Sequence, residues 1–372
     1  MKQGWEVKKL GEICDFQNGF AFKSKTYKED GKPILRITNI QNQLLEINDL
    51  VYFHENDYKE NFDRFKVYKD DLVIAMSGAT TGKLGINKSD IVFYLNQRVG
   101  KFIPKENLSK TYLYYFLSTK VEESLRIAAG AAQPNLSTEQ INNFEIPLPP
   151  LQEQQRIVSI LDEAFTAIDK AKANTEQNLK NAKELFESEL QRVFSEKNDG
   201  WVEKRFDEIC VLQRGFDLPT HSRNKGSHPL VSSNGITDRI DLWKVKAPGV
   251  VTGRSGTIGN VHYIEEDYWP LNTALYIKEF HGNFERCIYY FLKQFDLGKY
   301  SSGAGVPTLN RNNVHSEMVW FPKSIKEQQN IVAKLDDLRE KTKKLEAIYT
   351  QKLQDLEELK KSVLQKAFSG EL

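Results

Sequence analysis

The chain has 372 residues, of which 40% are hydrophobic and 28% charged, and its formal net charge is +1. This length predicts two or three domains with ordinary cores, and no apolar run approaches the ~18 residues of a membrane-spanning helix. The three cysteines are too few and too scattered for a disulfide framework or a zinc site. We therefore expect a cytoplasmic protein without metal whose thiols stay reduced. A near-neutral chain that binds DNA would need a local positive surface or a partner that supplies charge.

One sequence plan is written twice along the chain. The segment GWEVKKLGEICDFQNGF from Gly4 is matched by GWVEKRFDEICVLQRGF from Gly200. The later matches pair AMSGATTGKLGI at Ala75 with VVTGRSGTIGNV at Val250, YLNQ at Tyr94 with PLNT at Pro270, LYYFLS at Leu113 with IYYFLK at Ile288, and AGAAQPNLS at Ala129 with SGAGVPTLN at Ser302. Each copy is a globular part followed by a long helix. Shared framework residues with different loops indicate two readers of different targets; the alternative is an old duplication with no difference in role.

Each long helix opens with E-Q-Q-x-I-V and carries apolar residues at steps of three and four. The predicted seams are Ile157, Leu161, Ala164, Ile168, Ala171, Thr175, Leu179, Ala182, Phe186, Leu190 and Val193, and Ile331, Leu335, Leu338, Thr342, Leu345, Tyr349, Leu353, Leu356, Leu359 and Val363. A helix of about 40 residues is about 60 Å long and does not stand alone in water. We expect the two helices to pair antiparallel about an internal pseudo-two-fold axis. The alternative is that each packs on its own globular part.

The predicted fold class is α+β, with two pseudo-two-fold-related globular domains joined by two long antiparallel coiled-coil helices. The predicted boundaries are 1–150 for the first domain, 151–196 for the central helix, 197–324 for the second domain and 325–372 for the distal helix. Such a helix pair would hold two similar modules at a fixed distance, which suits the regular half-site spacing of duplex DNA.

Polar residues in the loops are the candidate DNA contacts. Gly permits close backbone approach, hydroxyl groups reach phosphate oxygens, Asn pairs with adenine and Arg with guanine. In the first copy the candidates are Arg36, Asn39, Ser77, Thr80, Lys83, Asn96 and Arg98. In the second copy they are Arg214, Arg223, Ser233, Asn234, Arg254, Ser255 and Thr257. The alternative for the two glycine-rich loops is a plain strand-connecting turn.

No catalytic constellation is present in the sequence. It contains no F-x-G-x-G for S-adenosylmethionine, no N-P-P-Y or D-P-P-Y for base methylation, no Walker motif and no H-E-x-x-H. The aromatic residues of YLYYFL and CIYYFL stand at helical spacing and are interpreted as core.

The duplicated Gly-Trp entry, SGTIG at Ser255, QPNLS at Gln133, IPLPPLQEQQRIVSILD and the terminal LQKAFSGEL together resemble the DNA-specificity subunit of type I restriction–modification systems. The resemblance covers essentially the whole chain. It implies two target-recognition domains that each read one half of a split DNA site, with the helices setting the spacer. It also implies a non-catalytic subunit.

The implied partners are double-stranded DNA, two modification subunits that carry S-adenosylmethionine, and restriction subunits that use ATP and Mg²⁺ for translocation and cleavage. The chain itself is expected to bind no cofactor and no membrane. Two other functions stay open at this point: a coiled-coil scaffold that does not read DNA, and a DNA methyltransferase in its own right.

Overall fold

The computed structural model describes residues 4–41, 43–129, 135–196, 199–302 and 307–372. Part of the QPNLS motif, residues 133–134, and residues 303–306 of SGAGVPTLN lie outside the described residues. The chain forms two compact units, the first made of Met1–Asn174 with Leu353–Leu372 and the second of Thr175–Lys352. Each unit therefore contains part of both long helices. The predicted four-part domain boundaries stay a prediction.

Among its described residues, the first unit contains three sheets and four short α-helices besides the long ones. The strands are β1 (Glu6–Lys9), β2 (Cys14–Asn18), β3 (Lys32–Leu35), β4 (Ile40–Gln41), β5 (Leu44–Leu45), β6 (Val51–Phe53), β7 (Lys66–Val67), β8 (Leu72–Ala75), β9 (Leu84–Ile86), β10 (Phe93–Leu95), β11 (Val99–Pro104) and β12 (Glu145–Leu148). The helices are α1 (Leu10–Ile13), α2 (Lys110–Thr119), α3 (Val121–Ala129), α4 (Thr138–Asn142) and the long α5 (Leu151–Ser195). The sheets have the strand orders β1-β12, β6-β3-β10-β7 and β2-β11-β8-β9-β5-β4.

The second unit repeats this plan with fewer strands. Its strands are β13 (Trp201–Arg205), β14 (Val211–Arg214), β15 (Lys225–Ser232), β16 (Gly235–Ile240), β17 (Gly249–Gly253), β18 (Val261–Ile264), β19 (Trp269–Pro270), β20 (Ala274–Glu279), β21 (Ser301–Ser302), β22 (Thr308–Leu309) and β23 (Met318–Pro322). Its helices are α6 (Glu285–Gln294), α7 (Arg311–His315) and the long α8 (Ile325–Ser369). The sheet orders β13-β23, β14-β20-β17-β18 and β16-β15-β19 match β1-β12, β2-β11-β8-β9 and β6-β3-β10 of the first unit, and β21 pairs with β22.

The Gly-Phe pair that ends each repeated entry sits where two chain segments nearly touch. A Cβ at Gly19 would lie 2.0 Å from the Asn96 carbonyl oxygen, and one at Gly215 would lie 2.2 Å from the Leu271 carbonyl oxygen. Any side chain at either position would clash with that carbonyl oxygen, so the close packing of the backbone requires Gly at both. The N–H of each following Phe donates across this contact.

Those two hydrogen bonds show that the sequence match of YLNQ with PLNT is wrong by one residue. Phe20 N–H donates to Leu95 O and Phe216 N–H donates to Pro270 O, both at 2.8 Å. Leu95 therefore corresponds to Pro270 and not to Leu271. The two sequences share Leu-Asn by letter, but the backbone pairing of the strands sets the equivalence.

The two long helices run antiparallel inside each unit. In the first unit Lys172 pairs with Glu357 at 2.5 Å and Asp169 with Lys360 at 3.3 Å. Residue numbers therefore increase along one helix in the direction in which they decrease along the other. In the second unit the Arg339 guanidinium lies 5.9 Å from the Phe186 ring centroid. The predicted antiparallel pairing is confirmed, and each pair of helix segments also packs into its unit's core.

The predicted seam of α5 is buried or half-buried throughout, but that of α8 is wrong at two positions. Leu345 and Leu359 are 37% and 48% exposed. The covered side instead passes through Glu346 and Lys360. Lys360 Nζ lies 4.8 Å from the Phe165 ring centroid while it pairs with Asp169, so a cation–π contact stands on the side of the helix where the sequence pattern expected Leu359.

A buried glutamine fastens the start of each long helix to its globular part. Gln154 and Gln328 are both 0% exposed. Gln154 Nε2 donates to Asn107 O and Pro149 O at 2.9 Å, and its Oε1 accepts from Ser109 N–H at 2.8 Å. Gln328 Nε2 likewise donates to Pro322 O at 2.9 Å, and its Oε1 accepts from Phe284 N–H at 2.7 Å. The E-Q-Q motif is thus a helix anchor, because its first Gln closes the loops beside the helix.

Candidate nucleic-acid interface

In the second unit, the loop between β17 and β18 is folded tightly on itself. Gly253 bridges Ile258, and a Cβ at Gly253 would lie 2.0 Å from the Thr257 carbonyl oxygen. The tight turn holds three of the predicted residues, Arg254, Ser255 and Thr257, in half-exposed positions.

Two further loops contact this one. Thr257 Oγ1 donates to Asn234 Oδ1 in the β15–β16 hairpin, and the adjacent Ser233 is buried beside Gly256. Arg254 N–H donates to Thr273 O at 2.9 Å, in the loop between β19 and β20. The structure therefore brings five predicted residues of the second unit into one surface of three loops.

Arg214 joins the same surface through a residue that the sequence analysis missed. Its Nη2 lies 3.2 Å from both carboxylate oxygens of Asp217, and Asp217 Oδ1 also accepts from Asn272 Nδ2. Asn272 in turn offers its carbonyl oxygen to Arg254 Nη1 at 3.2 Å. Arg223 lies in a different loop, where its guanidinium donates to Leu218 O at 2.9 and 3.1 Å.

The first unit has a loop in the place of 254–258. Ser77 bridges Asn135 as Ser255 bridges Thr308, and Leu136 N–H donates to Met76 O as Leu309 N–H donates to Arg254 O, both at 2.7 Å. Thr80 Oγ1 turns inward to Ser77 O at 3.4 Å. Lys83 is exposed, and within the described part of the chain no carboxylate lies within 4 Å of its Nζ. The Ser77 hydroxyl is buried without a hydrogen-bond partner among the described residues.

The remaining candidates of the first unit divide into exposed and internal side chains. Arg98 is exposed in the β10–β11 turn, whereas Asn96 beside it is buried and accepts from Arg98 N–H at 3.4 Å. Asn39 is also buried, with its amide donating to Asn48 O at 3.1 Å and its Oδ1 accepting from Arg36 N–H at 3.1 Å. Arg36 Nη2 donates to Asp49 O at 2.6 Å. In this conformation Asn39 and Asn96 hold loops in shape, and the base contacts proposed for them stay predictions.

Arg311, Asp217 and Asn272 are functional candidates that the sequence did not predict. Arg311 is the first residue of α7, and its Nη1 donates to Gln213 Oε1 at 2.7 Å and Leu212 O at 3.3 Å. Only the Asn-rich stretch LNRNN marked this helix start in the sequence. The first copy has Thr138 at the corresponding helix start, so the repeat gave no sign of a cation there.

Burial favours the neutral form of two histidines in the second unit. Burial lowers the pKa of His315, whose Nε2 accepts from Leu212 N–H at 3.0 Å, and burial also lowers the pKa of His262. The described residues contain no group of three or more His, Cys, Asp or Glu placed to hold a metal ion, and no helix among them is long and apolar enough to cross a membrane.

The family model described as the type I restriction modification DNA specificity domain matches residues 2–181 and again 198–358. The chain belongs to this family. The two matches coincide with the two repeats, so the domain of this family occurs twice, in agreement with the repeated sequence and the repeated sheets. The predicted class, a non-catalytic specificity protein of α+β fold with two domains and coiled-coil helices, is confirmed.

Curated relatives cover nearly the whole chain. The chain is 25% identical over 421 residues to the type I restriction enzyme EcoBI specificity subunit of Escherichia coli, covering 99% of this chain and 86% of the relative. It is 23% identical over 430 residues to the StySPI specificity subunit of Salmonella potsdam, covering 100% and 90%.

Solved structures show the same fold. The HsdS subunit from Thermoanaerobacter tengcongensis superposes with a TM-score of 0.68 at 17% identity, over 100% of this chain and 98% of that one. A chain from a structure described as the basis of complex assembly and conformational transition of the type I R-M system gives 0.80 at 18% identity, over 100% and 99%. This member of the family therefore has the fold of specificity subunits over its full length.

Proposed function

We propose that the chain is the DNA-reading subunit of a type I restriction–modification complex in the cytoplasm, and that each unit reads one half of a bipartite duplex site. One observation carries the proposal: both units place a loop at the same point of the same framework, and the side chains of the two loops differ. Met76 and Arg254 occupy equivalent positions, as the matching hydrogen bonds from Leu136 and Leu309 establish. A shared scaffold with different loop chemistry is what reading two different half-sites requires.

In this proposal the exposed donors of each surface approach the duplex. Arg98 and Lys83 are exposed cations of the first unit's loops, and Arg254, Thr257 and Asn234 belong to the second unit's surface. Arg98 and Asn234 are suited to base-edge contacts in the major groove, while hydroxyls, lysine and other arginines contact phosphates and set the register.

The long helices set the spacer and carry the partners in this account. Each helix contributes its first part to one unit and its last part to the other, which supports a spacer role. Large apolar side chains on α8 remain exposed at Leu345, Ile348 and Leu359. Exposed apolar side chains of this kind are suited to contact with the helices of two modification subunits, which would bring S-adenosylmethionine and methylate adenine. Restriction subunits with ATP and Mg²⁺ would join the same complex.

The decisive experiment is a selection from a random-sequence duplex library with the chain assembled on its modification subunits. We expect enrichment of a motif with two fixed halves and an unspecified spacer. Enrichment of no sequence, with intact assembly, would favour the scaffold function. Methyl transfer from labelled S-adenosylmethionine to DNA by the purified chain alone would favour the stand-alone methyltransferase instead.

The spacer role has its own test. Deleting seven residues from each long helix removes about 10 Å of helix, the length of about three base pairs. The selected motif should keep both half-sites and change only the number of bases between them. A change in either half-site contradicts the spacer role.

A further inference from the structure

Three arginines of the second unit converge on one cavity. The cavity has a volume of about 310 Å³, and its lining includes Arg214, Arg254 and Arg311. These residues come from three separate elements: the last residue of β14, the loop after β17 and the first residue of α7. Their meeting therefore results from the fold and not from a run of basic sequence.

The positive charge of this arginine pocket is only partly neutralised. Arg214 has Asp217 at 3.2 Å. Arg254 and Arg311 use single nitrogen atoms to donate to neutral acceptors, Asn272 O at 3.2 Å and Gln213 Oε1 at 2.7 Å. Among the described residues no carboxylate lies within 4 Å of either guanidinium, and the residues outside the described ranges include no Asp or Glu. Two uncompensated positive charges thus remain, with N–H donors still free on both side chains.

The backbone around the pocket is fixed before any ligand arrives. Leu309 N–H donates to Arg254 O at 2.7 Å and Ser255 bridges Thr308, which ties the Arg254 loop to the segment leading into α7. Asn310 caps α7 by accepting from Asn312 N–H at 3.1 Å, and this sets the position of Arg311. A pre-positioned set of guanidinium groups is suited to a tetrahedral oxyanion, which each of them can bind through two N–H groups.

In the described part of the first unit, none of the three positions equivalent to these arginines carries a cation. Asn18 stands at the place of Arg214, since the two pair with the equivalent residues Gly100 and Leu275 of the next strand. Met76 stands at the place of Arg254 and Thr138 at that of Arg311. In place of an ion-binding cluster, Asn18 Nδ2 donates to Thr138 Oγ1 at 2.9 Å. The first unit thus lacks all three cations together. This joint difference is expected if the arginines act as one site, and is not expected of unrelated surface charges.

We propose that Arg214, Arg254 and Arg311 form a binding site for a single backbone phosphate of the DNA, beside the half-site that the second unit reads, and that the first unit lacks such a site. The inference rests on the proposed function. A phosphate held here fixes the register of the second unit on the duplex but carries no sequence information. The second unit then makes one salt-dependent contact that the first unit lacks at the equivalent position.

The first test is the salt dependence of binding to the selected duplex, measured with the assembled complex. One neutralised phosphate contributes about 0.9 to the slope of log affinity against log salt. The triple variant R214Q/R254Q/R311Q should lose about 0.9 of slope, bind roughly tenfold or more weakly at fixed salt because charge-assisted hydrogen bonds are lost, and select the same motif. R205Q, which removes one charge from an exposed arginine paired with Asp207 in the same unit, is the control and should keep the slope.

Three outcomes overturn the proposal. An unchanged slope and affinity mean that the pocket holds no phosphate. A slope loss of about 2.7, three times the single-phosphate value, means three separate contacts. A changed base preference at one position of the motif means that the pocket reads a base. All three presuppose a selected motif, so they are distinct from failure of the proposed function, in which no motif is enriched.

The second test uses the wild-type complex and one single-residue variant. Uncharged methylphosphonate linkages are placed one at a time along the selected duplex, and binding by the wild-type complex is measured. We expect one linkage near the second unit's half-site at which substitution weakens wild-type binding, and at which R311Q loses little more. Additive losses from that linkage and R311Q would place the phosphate elsewhere and contradict the proposal.

Discussion

The two units are most alike where they are buried and least alike where their loops are exposed. Gln154 and Gln328 close equivalent hydrogen bonds at the root of each long helix, and Tyr115 and Tyr290 both donate to an aspartate of the helix beside them, Asp162 or Asp336. Around the β17–β18 loop and the start of α7, by contrast, Asn18, Met76 and Thr138 of the first unit replace three arginines of the second. Met76 is buried in its unit's core, whereas the equivalent Arg254 is half-exposed.

The difference follows from what each position has to satisfy. A buried side-chain amide and the backbone groups around it all need hydrogen-bond partners. Few other residue types can supply these partners, so few substitutions are tolerated. A loop residue that faces solvent is free to change once the turn beneath it is held by the backbone. The buried framework therefore stays similar in the two units, while the residues at their surface loops can differ.

The largest expected effect comes from equivalent core leucines of the two long helices. Leu161 and Leu335 are both essentially unexposed. L161A and L335A should each cost about 3 kcal/mol of unfolding free energy through lost burial and a residual cavity. Hydrogen exchange followed by mass spectrometry should show faster exchange confined to the unit that carries the change.

The control is L345A, at a position that the sequence pattern places in the seam and the structure places outside it. We expect it to change stability by less than about 0.5 kcal/mol. A loss as large as that of L335A would restore the sequence-based seam and contradict the packing described here.

The next effect concerns the helix anchors. Q154L and Q328L should each cost about 2 kcal/mol, because each leaves backbone groups buried without a partner. Denaturant unfolding should detect both, while Q155L and Q329L, at the exposed neighbouring positions, should stay close to wild type. Equal losses at anchor and neighbour would show that the anchor hydrogen bonds contribute nothing specific.

The smallest expected effect is a pH dependence of stability in the second unit, which contains His315. His315 is neutral in the folded state and its pKa is lowered by burial, although Asp207 acts to raise it and Arg311 and Arg205 to lower it. The unfolded chain binds the proton more readily, so the contribution to stability is complete above about pH 6.5 and is lost as the pH falls.

We expect the urea midpoint, read by fluorescence of the four tryptophans in the second unit, to fall between pH 7.5 and 5.5. H315Q keeps an acceptor for Leu212 N–H and cannot titrate. Between pH 7.5 and 5.5 it should therefore lose less unfolding free energy than wild type, by about 1 kcal/mol at most after solvent screening. An identical pH dependence in H315Q would rule out the histidine as its source.

Much of the fold was predictable because it is repeated and periodic. The helix pattern from Gln152 to Val193 and the duplicated entry at Gly4 and Gly200 predicted the α+β repeat with antiparallel helices. The α8 seam was wrong at Leu345 and Leu359 because several three- and four-residue paths fit a helix rich in both Leu and Lys. Letter matching also placed PLNT one residue away from its backbone equivalent.

The candidate site was less predictable than the fold. The sequence singled out Arg254, Ser255 and Thr257 because the glycines around them indicate a tight loop, and it located Ser233 and Asn234 by their place in the repeat. Asp217, Asn272 and Arg311 were missed because they meet these residues only through sheet pairing. Asn39 and Asn96 resemble base readers by residue type, yet burial decides how their amides are used.

The central claim is that the two units read separate half-sites, and exchange of one unit's globular part tests it most directly. Residues 200–324 would be replaced by the corresponding segment of another family member, and the methylated motifs of cells carrying each chain with its modification and restriction subunits would be sequenced. The account predicts a bipartite motif in which one half changes while the other half stays the same. A change in both halves, or in neither, would contradict it.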